Sequence, residues 1–282
     1  MNIPLHWVRA TGQVPGPGDR RFDLTAWGWS SVGRAEAEQK AHERLASLAQ
    51  RVQQGLDFPR GYAYGGDRPL REEILREVHD REGELTGIVT RNSYGSLVLN
   101  TRDAMFVDVD LPKPPAVGVL ARLFGGAKPA ENVAESLAKL RATLASLHGS
   151  FRIYRTAAGW RVLATDRHYD PKSSDAQTAM REMGADPAFL QLCRVQESFR
   201  ARLTPKPWRC GGAPPPGQHP REDEYSIASF ARWLEAYDRA CKSRATCRFV
   251  ESVGSNRVAA NVSSIVELHD SLTRATTDLP LA

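Results

Sequence analysis

Residues 85–92, 96–100 and 104–111 form three apolar runs with only turn residues between them. Parallel neighbours in a sheet need a crossover of a dozen residues or more, whereas antiparallel neighbours need only a tight turn. The linkers 92–95 and 100–103 are built from Asn, Ser, Gly, Thr and Asp, which favour turns. The stretch therefore predicts a meander of consecutive hairpins, with the third and most apolar run at the centre of the sheet. Residues 151–156 and 160–165 repeat the pattern around Ala157-Ala158-Gly159. The expected fold is α/β of the α+β type: a mainly antiparallel or mixed central sheet with helices packed on it. Hairpins this frequent argue against a doubly wound parallel sheet.

The remaining segments fill in that frame. Strands are expected over 3–9 and 21–29, then a helix over 32–55 with Leu45, Leu48 and Val52 on one face. A Tyr/Gly-rich loop at 61–69 has the composition of a substrate lid or of a tight connection. A charged helix is expected over 70–80. A Pro/Gly-rich loop at 113–132, with a short helical turn at 117–124, precedes a helix over 133–148. Further helices are expected over 176–183 and 187–196, then a strand over 199–203. The chain divides into a core of residues 1–210, a Pro/Gly-rich loop at 211–225 and a tail at 226–282. That tail reads as helix (226–241), strand (246–253) and helix (263–274), packed on the core.

Composition bounds the partners more than the fold. The 282 residues are 41% hydrophobic and 25% charged, with a formal net charge of +5. A mild basic excess suits a phosphate-bearing partner without demanding one. No apolar run approaches the ~20 residues of a membrane helix, and the N-terminus lacks the basic and apolar regions of a signal peptide. A cytoplasmic protein with no membrane partner is expected. The four cysteines, Cys193, Cys210, Cys241 and Cys247, match no metal-binding or redox spacing, so they are expected as free thiols.

The third run, Phe106-Val107-Asp108-Val109-Asp110, carries two carboxylates on one strand face. Two ionised carboxylates roughly 6–7 Å apart repel each other. A divalent ion such as Mg²⁺ or Mn²⁺ relieves that repulsion; a solvated strand end is the other explanation. The later hairpin places Thr156, Gly159 and Arg161 within six residues. Glycine permits close approach to a ligand, and Thr and Arg suit phosphate oxygens. An ordinary hairpin with a surface Arg explains the same residues. Arg200, Arg202, Lys206 and Arg209 lie in a stretch free of acidic residues between Glu197 and Glu222, with Trp208 among them. Such a stretch can follow a nucleic-acid backbone and stack a base. It can also be a solvated basic face. His168, flanked by carboxylates, is a lesser candidate for acid–base or metal chemistry.

The order of these motifs resembles the catalytic core of archaeo-eukaryotic primases, the primase-polymerase superfamily, over about residues 84–170. Phe106-Val107-Asp108-Val109-Asp110 resembles the family's metal-binding first motif. Residues 156–161 resemble its phosphate-contacting second motif, with Arg161 where the family has His. The resemblance implies that Asp108 and Asp110 hold Mg²⁺ or Mn²⁺, with Asp166 as third acidic residue, ahead of Asp170 and Glu251. It implies that Thr156, Gly159, Arg161, Arg200, Arg202 and Lys206 hold nucleotide phosphates. The implied activity is metal-dependent nucleotidyl transfer from nucleoside triphosphates onto a nucleic-acid strand. Two alternatives stay open: an inactive nucleotide- or nucleic-acid-binding relative, and a metal-dependent phosphodiester hydrolase.

Overall fold

The computed structural model describes residues 1–16, 20–56, 68–111 and 129–282, and the side chains of all these except 129–132. The loop at 61–69, save its last two residues, and the helical turn expected at 117–124 lie outside the described residues. The strands are β1 (His6–Pro15), β2 (Arg21–Ser30), β3 (Glu73–His79), β4 (Leu85–Arg91), β5 (Leu97–Thr101), β6 (Phe106–Asp110), β7 (Ser150–Thr156), β8 (Gly159–Ala164), β9 (Phe199–Arg202) and β10 (Cys247–Gly254). The helices are α1 (Arg34–Gln53), α2 (Pro129–Ser146), α3 (Ser174–Glu182), α4 (Pro187–Gln196), α5 (Glu224–Cys241) and α6 (Ala260–Thr273). The fold is mixed α/β with antiparallel strand pairing, as the hairpin pattern predicts.

Three sheets result, in the orders β1-β2, β3-β4-β5-β9 and β10-β7-β8-β6. The β1-β2 hairpin and α1 form a unit with a small apolar cluster of Val14, Leu24 and Val52, joined by Leu45 and Leu48. The main core lies around the two four-stranded sheets. Phe106, Val107, Ile153, Val162 and Leu163 are completely buried there. The tail supplies part of this core: β10 pairs with β7, and Val262 and Ile265 of α6 are fully buried.

Two expectations are corrected. The Asp-Val-Asp strand is not the centre of a meander. β5 pairs with β9, so Thr101 faces Phe199 and Val98 faces Arg202. With that edge filled, β6 pairs instead with β8 and becomes an edge strand of the other sheet. The charged segment 70–80 is not a helix. Its Glu and Arg residues favour helix locally, but pairing with β4 makes it the edge strand β3. Bulges at Ile74/Arg76 and Val78/His79 and the exposed charges Arg76 and Glu77 suit an edge that must not recruit another strand.

Candidate functional site

Antiparallel register places Asp108 of β6 directly opposite Arg161 of β8. Arg161 donates from Nε to Asp108 Oδ1 (2.7 Å) and from Nη2 to Oδ2 (2.9 Å). Its Nη1 donates to the carbonyl oxygen of Arg202 (2.8 Å), across the seam between the two large sheets. Arg161 is wholly buried. Burial pushes the Asp108 carboxyl up, but the guanidinium outweighs that and holds it below the usual carboxylate range. Burial opposes the charge of Arg161, and Asp108 more than restores it, so its pKa is raised.

Behind this pair, α6 contributes His269 and Asp270. His269 Nε2 lies 3.4 Å from Arg161 Nη1, and its Nδ1 lies 3.0 Å from Asp270 Oδ1. Burial, with Arg161 adding to it, lowers the imidazole to about 4 against the pull of Asp270. The ring is therefore neutral at pH 7. Donation from Nδ1–H to Asp270 leaves Nε2 as the acceptor facing Arg161. Asp270 also accepts from Arg152 Nη2 (2.6 Å), and Arg152 Nε donates to the Tyr154 hydroxyl (2.7 Å). The result is a buried, largely satisfied polar network, which fixes geometry more than it adds net stability.

This arrangement corrects several expected roles. Arg161 has no exposed surface with which to meet a phosphate. Thr156 Oγ1 accepts from the Gly159 N–H (3.0 Å) and closes the hairpin turn. A Cβ on Gly159 would stand 2.0 Å from the Val109 carbonyl oxygen, so glycine serves the close approach of β6 and β8. Arg200 is buried and forks onto Glu72, from Nη2 to Oε1 (2.7 Å) and Oε2 (3.0 Å), and it also donates to Asn100 Oδ1. Thr90 completes that network by donating to Glu72 Oε2 (2.6 Å). Asp166 follows β8 at the end opposite Asp110, about 16 Å along the chain from Arg161 at strand rise. It cannot complete a carboxylate set with Asp108 and Asp110. Both Asp108 oxygens carry Arg161, and Asp110 is exposed. Among the described residues no group of three or more His, Cys, Asp and Glu has a metal-holding arrangement. The donor set does not fit a preformed Mg²⁺ or Mn²⁺ centre.

What does converge beside Asp108 and Asp110 is cationic. Arg202 is deprived of water, and Arg161 and Arg209 oppose its charge, so its pKa falls despite Asp108. Its Nε is buried with no hydrogen-bond partner. Lys206 is lowered by burial, then by Arg202 and Arg209, with Asp110 opposing. The Lys206 ammonium lies 5.8 Å from the Tyr94 ring centre and 5.4 Å from that of Trp208. Those two rings meet edge to face at 5.2 Å, and each is more than two-fifths exposed.

The patch is mounted on hydrogen-bonded turns. The Leu97 N–H donates to Thr204 Oγ1 (2.8 Å), and Ser96 Oγ and Tyr237 Oη donate to the Pro205 carbonyl (3.0 and 2.6 Å). Trp208 stands on the 3₁₀ turn Pro207–Cys210. Tyr94 stands on the β4–β5 turn, where Asn92 Oδ1 accepts from the Tyr94 and Ser96 N–H groups (3.0 Å each). Gly95 closes that turn at a φ of +82°, and the Trp233 ring fills the space a side chain would need.

Trp208, Arg202 and Lys206 stood out in the sequence, and the structure brings them together. Tyr94 is not among the residues that the sequence patterns single out, although an aromatic in an Asn-Ser-Tyr-Gly turn is a signal for an exposed ring. His168 instead pairs with Asp103 through Nδ1 (2.7 Å) in an open recess beside Lys172 and Glu197. Comparison of the chain with protein-family models, curated proteins and solved structures finds no match.

Proposed function

We propose that this protein is a nucleic-acid-binding module. Arg202, Lys206 and Arg209 hold phosphates of a single strand, and Tyr94 and Trp208 stack its bases. The observation that carries this reading is Arg202, crowded by like charge with its buried Nε unpartnered. A phosphate beside the partly exposed Arg202 side chain would relieve the repulsion among the three cations. The flanking exposed rings fit the pattern of sequence-tolerant strand binding, in which aromatics take the bases and cations take the backbone. Titration of a fluorescent single-stranded oligonucleotide at several salt concentrations tests it. Affinity is expected to fall steeply with salt, and Lys206→Gln or Arg209→Gln should each reduce the log–log slope by about 0.7. Slopes unchanged in both variants would overturn the reading.

A second reading is the nucleotidyl transfer that the primase-polymerase resemblance implies. One observation favours it: Asp108 and Asp110 lie on one face beside the same cations. Against it stands Arg161, which both Asp108 oxygens would have to release before serving another cation. Manganese-dependent incorporation of labelled nucleotide, lost in Asp110→Asn, would establish transfer. Binding without incorporation would leave the module reading.

A further inference from the structure

The two exposed rings of the cationic patch constrain which strand it takes. Tyr94 and Trp208 meet at an interplanar angle of 90°, with ring centres 5.2 Å apart. They stand on separate turns. Around Trp208, the Arg209 N–H donates to the Lys206 carbonyl (2.9 Å) and the Gly212 N–H to the Pro207 carbonyl (2.9 Å). Tyr94 lies in the β4–β5 turn, closed by the Gly95 N–H on the Asn92 carbonyl (2.8 Å). Trp208 is 47% exposed and Tyr94 42%, so each ring offers surface to a base.

A base that stacks on an aromatic ring lies parallel to it. Two neighbouring bases on rings at right angles are therefore at right angles to each other. In a free single strand, neighbouring purines lie face on face, whereas neighbouring pyrimidines overlap little. The patch thus demands that a purine strand break one stack and turn. The alternative is to swing one ring until the two are parallel, which gives up the edge-to-face contact that such pairs favour. Either way a pre-stacked strand loses something that an unstacked strand does not. A turn also brings successive phosphates closer together. Lys206, 5.8 Å from the Tyr94 ring centre and 5.4 Å from that of Trp208, is placed to offset the repulsion between them.

We propose that the Tyr94–Trp208 corner selects flexible, pyrimidine-rich single strands over self-stacked purine strands, with Tyr94 as the specificity-determining residue. The inference rests on the strand-binding reading of the same patch. It needs no hydrogen bond to a base edge, because discrimination comes from the stack that the ligand must surrender.

The test is fluorescence-anisotropy competition at one salt concentration with equal-length oligo(dT), oligo(dU), oligo(dC) and oligo(dA). All three pyrimidine strands are expected to bind about threefold tighter than oligo(dA), the weight of roughly half a duplex stacking step. Tyr94→Ala should weaken every strand yet bring the four affinities together, and Tyr94→Phe should keep the preference. The circular dichroism of stacked oligo(dA) should fall on binding to the wild-type chain and hold on binding to Tyr94→Ala. Equal affinities in the wild type, or a preference that survives Tyr94→Ala, overturns the inference. Oligo(dT) and oligo(dU) favoured over both oligo(dC) and oligo(dA) marks readout of base edges and overturns it too. In each of these cases an intact salt slope leaves the strand-binding reading standing. Absence of binding to any strand overturns both.

Discussion

Arg161 and Arg202 sit on strands that meet at the seam between the two large sheets, and their surroundings are opposite. Arg161 is wholly buried, and Asp108 and the Arg202 carbonyl accept from its Nε, Nη1 and Nη2. Arg202 keeps part of its surface exposed although largely deprived of water, has further cations beside it, and keeps a buried donor unused. A guanidinium that is fully partnered fixes architecture and offers nothing to a ligand. One held among like charges is costly to the free protein and gains from an incoming anion. Between these two arginines, burial and the tally of acceptors point the same way: Arg161 is covered and fully partnered, Arg202 is neither.

The contrast breaks most forcefully at Asp108. Asp108→Ala strands a buried guanidinium and is expected to cost about 3 kcal/mol or more, read as a lowered urea midpoint. Arg202→Met should leave stability unchanged or slightly higher, because it removes an unpaired charge while keeping the backbone carbonyl that accepts from Arg161. Equal losses in the two variants would erase the distinction.

A pH series sharpens it next. His269 titrates near 4 in the fold against an ordinary value of 6.5, so the unfolded chain takes up the proton first. The contribution is fully present above about pH 6.5 and is lost as pH falls towards 4, on the order of 3 kcal/mol. Asp108 and Asp270, both held below their usual range, extend the loss to lower pH. His269→Gln should flatten the slope of urea midpoint against pH between 6.5 and 4.

The smallest effect on the fold is expected at the exposed side of the comparison. Trp208→Ala should weaken single-strand binding about fivefold to a hundredfold, from stacking worth about 1–3 kcal/mol per base. It should change stability by less than about 0.5 kcal/mol. A large loss of stability would place Trp208 with the architectural group.

The fold was legible wherever local chemistry decided it. The turn at Ala157-Ala158-Gly159 and the strand pair around it follow from residues close in sequence. The pairing of β6 did not, because the turn after Asn100 reverses the chain without saying which sheet edge is open. That edge is filled by Phe199–Arg202, about a hundred residues later. The same limit hid the site. Asp108 and Arg161 each read as ligand-binding residues, and only the register shows that they bind each other. Arg200 read as a phosphate contact because Glu72, its partner, lies in a segment whose charges suggested a helix. Trp208 and Lys206 were legible because a basic stretch with an aromatic is itself the local signal.

The link from Arg161 to Asp108 and to the Arg202 carbonyl also imposes an order in time. Its partners lie 53 residues upstream and 41 downstream. During synthesis β6 emerges first, β8 next and β9 last, so the complete junction can close only once all three are present. Closing that junction is a non-local event, the kind that slows folding. Once closed, it ties two sheets into one cooperative unit, and neither can open along that line without returning a charge to water.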